Sequence, residues 1–192
     1  SALADGTDYL FWTYNRTVPG PLLRARVGDT VELKISNHRS STHIHSIDLH
    51  SVTGPGGGGN LTQVKPGKSK TISFKALHPG VFVYHCASGN VPTHISNGQY
   101  GLIIIEPEKG LPAVDHEFYV VQGEFYTEGL VGQTGFQSFS PRKMFNETPE
   151  YIVLNGRAKS LTSSNALKAK TGETVRIFFG NAGVSKISSF HI

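Results

Sequence analysis

The segment His85 to Gly101, "HCASGNVPTHISNGQYG", holds two histidines and the only cysteine of a 192-residue chain. A second segment, "THIHSIDLH" from Thr42 to His50, adds three histidines and an aspartate. Successive side chains of a strand point to opposite faces. Taken as a strand, Thr42–His50 puts His45 with Ile47 and Leu49 on an apolar side, and Asp48 with His50 on a polar side. The same alternation parts His85 from Cys86 in "FVYHC". One strand end thus offers two ligands aimed in opposite directions, suited to two separate metal centres.

On the first face, Cys86, His94 and His45 supply one thiolate and two imidazoles. That set fits a trigonal blue-copper electron-transfer site, which a weak axial ligand completes; Gln99 lies on the same loop as Cys86 and His94. On the second face, His50 and His85 stand with Asp48. Catalytic metals usually have three protein ligands and an open position, so a further ligand is expected from elsewhere. His191, in "SSFHI", is either that ligand or an acid–base group beside the metal, and spacing leaves both open. His38, His43, His78 and His116 read as surface or structural residues, although His43 and His45 form a His-X-His pair. Met144 reads as a packing residue.

The elements that must position these groups are strands. Helical periodicity is nearly absent, and "TVELKIS", "KTISFKA", "GVFVYHC" and "GLIIIEP" are β-branched, aromatic runs bounded by Gly, Pro and Asn. An all-β sandwich or barrel is expected. "ARVGDTVELKISN" (Ala25 to Asn37) aligns without gaps to "AKTGETVRIFFGN" (Ala169 to Asn181), which points to two copies of one β domain. The expected division is a first domain over 1–107, a linker over 108–117 and the N-terminal part of a second domain over 118–192.

A hydrophobic content of 38% is that of a globular protein. Lys and Arg number 18 against 14 Asp and Glu, with no basic run, so no nucleic-acid surface is expected. No apolar stretch approaches the roughly 20 residues that span a bilayer, and the first residues lack the pattern of a signal peptide. The protein is therefore expected to be cytosolic or to have lost a leader. A single cysteine excludes an internal disulfide.

Together "YNRTVPGP", "GDTVE", "HSIDLHSVTGPGGG", "KALHPGVFVYHCA", "HISNGQYGLIIIEP", "EFYVVQGEFYT", "YIVLNGR" and "SSFH" resemble the copper-containing, nitric-oxide-forming nitrite reductases, which are built from two Greek-key cupredoxin domains. The resemblance implies a type 1 copper held by His45, Cys86 and His94 with Gln99 in the axial position. It implies type 2 ligands at His50 and His85, a proton relay through Asp48 and His191, and a third type 2 histidine beyond Ile192. It further implies nitrite as substrate, denitrification as the setting, a small cupredoxin or cytochrome c as electron donor, a homotrimer with type 2 copper between subunits, and a periplasmic or otherwise extracytoplasmic location. The departure is Gln99, where the family has methionine. Two other functions fit parts of the pattern: a multicopper oxidase reducing oxygen, suggested by His43-Ile44-His45, and a single-copper electron carrier.

Overall fold

The structure is a computed structural model describing residues 1–192. In chain order its strands are β1 (Ala2–Ala4), β2 (Thr7–Tyr9), β3 (Leu23–Arg26), β4 (Thr30–Ser36), β5 (Asp48–Leu49), β6 (Ser69–Lys75), β7 (Gly80–His85), β8 (Tyr100–Glu106), β9 (His116–Phe125), β10 (Gly135–Gln137), β11 (Tyr151–Leu154) and β12 (Val175–Asn181). Two short helices interrupt them, α1 (Val91–Ser96) and α2 (Pro141–Phe145). No helix is long and apolar enough to cross a membrane.

The first half is built on a four-stranded sheet, β3-β8-β7-β5, and the pair β4-β6. Strand β8 is buried on both faces and sorts its side chains by parity. Ile103 and Ile105 join Ile47, Leu49, Ala76 and Tyr84 in the first core. Tyr100 and Leu102 point the other way and pack with Val121 and Ala182 of the second half. Fully burying each such side chain contributes about 1.5–3 kcal/mol relative to exposure, so this one strand anchors both cores. The second half carries the sheet β11-β9-β12.

The repeated segments fold alike at the turn. Gly28 and Gly172 take φ of 94° and 93°, a region open to glycine because it lacks a Cβ. Asp29 accepts a hydrogen bond from the Arg26 amide at 2.8 Å, and Glu173 accepts one from the equivalent Lys170 amide at 2.6 Å. Past the turn the copies diverge in pairing: β4 runs antiparallel to β6, whereas β12 runs parallel to β9.

Three features differ from the sequence expectations. The expected strand Thr42–His50 shrinks to β5, preceded by a single bridge between His45 and Val64. The reason lies outside the segment: the Asn37 side-chain amide donates to the carbonyls of His43 at 2.7 Å and Val64 at 2.9 Å, taking the place of a ladder. Next, β9 begins at His116, inside the expected linker, and that ring bonds Glu173 at 2.7 Å. Last, β1 and β2 do not join the first-half sheets; β2 pairs in parallel with β10 of the second half. Leu3 and Tyr9 are accordingly buried with Phe125, Tyr151 and Val153.

Arg24 spans the linker from outside. Its guanidinium bonds both Glu106, at the end of β8, and Glu117, at the start of β9.

Candidate metal centres

At the end of β7 the chain delivers two consecutive side chains to two places. Cys86 gathers with His45 and His94, and His85 gathers with Asp48 and His50; within each group the potential ligand atoms all lie within 4.8 Å of one another. The alternation expected from the sequence is thus realised, although His45 comes from a bridge and not from a full strand.

The first group is enclosed. Cys86 is fully buried and His94 is 5% exposed. The thiol sulfur lies 3.8 Å from His45 Nδ1 and accepts a hydrogen bond from the Ser46 amide at 3.4 Å. Burial by itself pushes the Cys86 pKa up, but hydrogen bonds from His45 and His94, the nearby His94 charge and the Ser46 amide outweigh it and bring the thiol down to about 5. Burial pulls His94 down, and the thiolate and Gln99 more than reverse this, so the ring is raised. A thiol drawn toward its anion by two neighbouring imidazoles is a metal-ready ligand.

His94 sits on α1, a helix of six residues where the sequence reading had a loop. Asn90 caps it, accepting from the Thr93 amide at 3.3 Å, a contact typically worth about 1 kcal/mol. Gln99 follows the helix and is fixed by its backbone: its amide donates to the His94 carbonyl at 3.2 Å, and its carbonyl accepts from the Cys86 amide at 3.1 Å. Its side chain is 3% exposed and turns inward, with Oε1 at 3.0 Å from His94 Nδ1. The amide oxygen therefore belongs to the cluster.

The sequence reading missed the residues that support this group. Trp12 lies edge-on to His94 with ring centroids 4.8 Å apart and edge-on to His45 at 6.1 Å, and it faces His43 at 4.6 Å. The Trp12 amide donates to the Asn97 carbonyl at 2.8 Å, and Tyr9 donates its hydroxyl to Asn97 Oδ1 at 2.7 Å. Two N-terminal residues thus clamp the turn between His94 and Gln99. The run "YLFWTY" is a visible aromatic signal, but its partners His94 and Asn97 lie more than eighty positions away in the chain. Ser46 was also overlooked: buried behind the thiolate, its Oγ accepts from the Ala87 amide at 3.0 Å.

The second group is more open, with His50 exposed and Asp48 and His85 half-buried. His85 Nδ1 lies 3.0 Å from the Cys86 carbonyl. A carbonyl only accepts, so Nδ1 carries the proton and Nε2 presents its lone pair. That Nε2 converges to 3.0 Å from His50 Nε2. Burial, then the neighbouring His85, lower the His50 pKa against the pull of Asp48, a shift toward the neutral ring that a metal ligand requires. A glycine run roofs Asp48: Gly56, Gly57 and Gly58 have φ of 57°, 50° and 90°. Gly57 presses so closely on Asp48 Oδ1 and the Leu49 backbone that no Cβ has room there.

His191 lies exposed in the final irregular residues and is not part of either cluster. The expected pairing of Asp48 with His191 is therefore not formed within this chain. His38 and His78 are likewise outside both groups, and Met144 is buried in the second half.

Thiolate, two imidazoles and an amide oxygen in a buried pocket are a donor set suited to copper, and converging imidazoles beside a carboxylate suit a second, more accessible ion. A family model described as multicopper oxidase matches residues 2–110. The chain belongs to the multicopper oxidase family. Within it, the chain is 53% identical over 188 residues to the copper-containing nitrite reductase of Neisseria gonorrhoeae, covering 98% of this chain and 48% of that protein. It is 38% identical to the copper-containing nitrite reductase of Rhizobium meliloti, covering 92% and 51%. Among solved structures, the copper nitrite reductase of Nitrosomonas europaea superposes with a TM-score of 0.79 at 36% identity, over 95% of this chain and 64% of that one. A structure titled multicopper oxidase mgLAC gives 0.74 at 28% identity, over 95% and 58%. This family member therefore has a cupredoxin-like β-fold, is homologous to copper-containing nitrite reductases, and spans about half the length of the curated relatives it matches.

Proposed function

We propose that the chain is the copper-bearing portion of an enzyme that reduces nitrite to nitric oxide. The observation that carries the reading is the single peptide bond between His85 and Cys86, which ties a buried thiolate cluster to an exposed imidazole–carboxylate cluster. His45, Cys86, His94 and Gln99 would hold type 1 copper, and His50 and His85 would hold type 2 copper, with a third histidine from outside this chain. Bound copper supplies one-electron redox chemistry at the first cluster and a Lewis acid for nitrite oxygens at the second.

The overall conversion of nitrite to nitric oxide and water takes one electron and two protons. The chain's own groups account for the protons. Asp48, held under the glycine run beside His50 and His85, carries one at its carboxyl and passes it to a nitrite oxygen; His191 carries the second on its imidazole. Because His191 is not brought to Asp48 within the chain, the pair is completed by the His191 of a neighbouring copy, in keeping with a homotrimer. The electron comes from a small cupredoxin or cytochrome c, in an extracytoplasmic compartment. The 1–107 and 118–192 segments act as the two cupredoxin units, joined across 108–117.

The oxygen-reducing alternative is less supported. It calls for His43 to extend a histidine cluster, and His43 instead packs at a tilt against Trp12. Anaerobic turnover of the copper-loaded whole protein with nitrite and a reduced donor tests the reading. Two coppers per subunit and nitric oxide release are expected; one copper without nitric oxide would favour the carrier, and oxygen uptake without nitrite turnover the oxidase.

A further inference from the structure

Glu124 is a buried acid that neither cluster uses. It lies on β9, is 2% exposed, and forms no salt bridge. Its carboxylate instead accepts four hydrogen bonds: from the Ser185 amide at 3.0 Å, the Ser185 hydroxyl at 2.9 Å, the Lys186 amide at 2.7 Å and the Tyr126 hydroxyl. Three of the four come from one turn, and that turn leads to His191.

The same turn is tied a second time from β12. Asn181 donates its side-chain amide to the Lys186 carbonyl at 2.8 Å, and its Oδ1 accepts from the Gly183 amide at 2.9 Å. Gly183 faces the Glu124 carboxylate so closely that a side chain has no room between them. Farther along, the ring of Phe190 stacks on Phe179 with centroids 4.4 Å apart and planes 21° apart. The stretch from Ala182 to Phe190 is thus fastened at both ends, and His191 is the next residue.

A buried, unpaired carboxylate is costly unless its lone pairs are filled by well-placed donors. Here nearly all the donors belong to the segment carrying the proposed proton donor. An amide at this position would set an NH2 group against N–H and O–H donors. We propose that Glu124 is a positioning residue for His191, fixing the 182–190 segment so that the imidazole is presented for proton transfer. This rests on the nitrite-reduction reading and deepens it.

The test is a double-mutant cycle in the copper-loaded whole protein, using Glu124→Gln, His191→Ala and both together. Expected is a loss in kcat of about tenfold for Glu124→Gln, the order of a misplaced proton donor, with KM for nitrite, copper content and the visible spectrum unchanged. In the His191→Ala background the further loss is expected to fall below about twofold, because the two residues act as one unit. An equal loss in both backgrounds would mean general damage and overturn the inference alone. Full nitrite turnover by His191→Ala would overturn both the proton role and the inference. Ser185→Ala, which removes one donor and spares the carboxylate, covers the case in which Glu124→Gln does not fold: about a twofold kcat loss that vanishes in the His191→Ala background is expected, and unchanged kcat overturns the inference.

Discussion

His85 and Cys86 share a peptide bond and no surroundings: the sulfur of Cys86 meets His45 and His94, while the ring of His85 meets His50. The His85 ring returns to the backbone at once, donating from Nδ1 to the Cys86 carbonyl at 3.0 Å. Through-bond and hydrogen-bond links between the clusters therefore coincide on two residues. Losing His85 should disconnect the clusters without dismantling the first. His85→Ala in the copper-loaded protein is expected to retain the sulfur-to-copper absorption and to lose the second ion, read as a fall from two coppers to one. Retention of two would place the second ion elsewhere.

As the proposed axial ligand, Gln99 would tune the potential of the first cluster. Its amide oxygen is buried at 3.0 Å from His94 Nδ1, and an oxygen donor favours oxidised copper. Gln99→Met is expected to raise the reduction potential in a redox titration. A shift of about 59 mV or more would be a tenfold change for one electron, and an equal or lower potential with methionine would contradict the axial role.

Without metal, the thiol of Cys86 should dominate the pH response. Its pKa is depressed to about 5 in the folded chain from an ordinary value of 9. Between those values the unfolded chain binds more protons, so stability rises with pH across the window. The contribution is complete above about 9 and is lost as pH falls through about 5. His94, raised from 6.5, acts in the opposite sense, helping below that value and fading as pH rises through its elevated one. Denaturant midpoints of the metal-free protein are expected to climb from pH 5 to pH 8, and Cys86→Ala to flatten that climb.

Ser46 separates stability from colour. Its hydroxyl accepts from the Ala87 amide at 3.0 Å and lies 3.0 Å from Ser88 Oγ, while its backbone amide faces the thiolate. Ser46→Ala removes the first two, together with a long 4.0 Å contact from the hydroxyl to the sulfur, and keeps the amide hydrogen bond to the thiolate. The Ser88 hydroxyl keeps Gln63 Oε1 at 2.8 Å, so the Ala87 amide left without its acceptor should cost about 1–3 kcal/mol in urea unfolding, with the visible spectrum of the copper form unchanged.

Legibility in the sequence followed interaction range. The period of two in "FVYHC" and "SIDLH" placed His85 and Cys86 on opposite faces, because a strand's geometry is local. The Gly28 and Gly172 turns were readable for the same reason. The extent of the strand before Asp48 was not, because Asn37 competes for its carbonyls from outside the segment. Trp12 and Tyr9 escaped notice because nothing near them in sequence announces Asn97. His191 stands out as a candidate from the residues, but only the "SSFH" resemblance chooses between ligand and acid–base group, since its surroundings are set by residues as distant as Glu124.

The short hairpin at the start of the chain has a consequence for how such proteins can be recombined. Its second strand pairs with β10 of the second half, while Tyr9 at the end of that strand and Trp12 just beyond it hold Asn97, between two of the proposed copper ligands in the first. A chimera spliced at the 108–115 crossover from two relatives would inherit its opening strand from one parent and the sheet receiving it from the other. Compatibility between parents would be decided at Tyr9 and Gln137, far from the splice, and a mismatch would surface as altered copper colour.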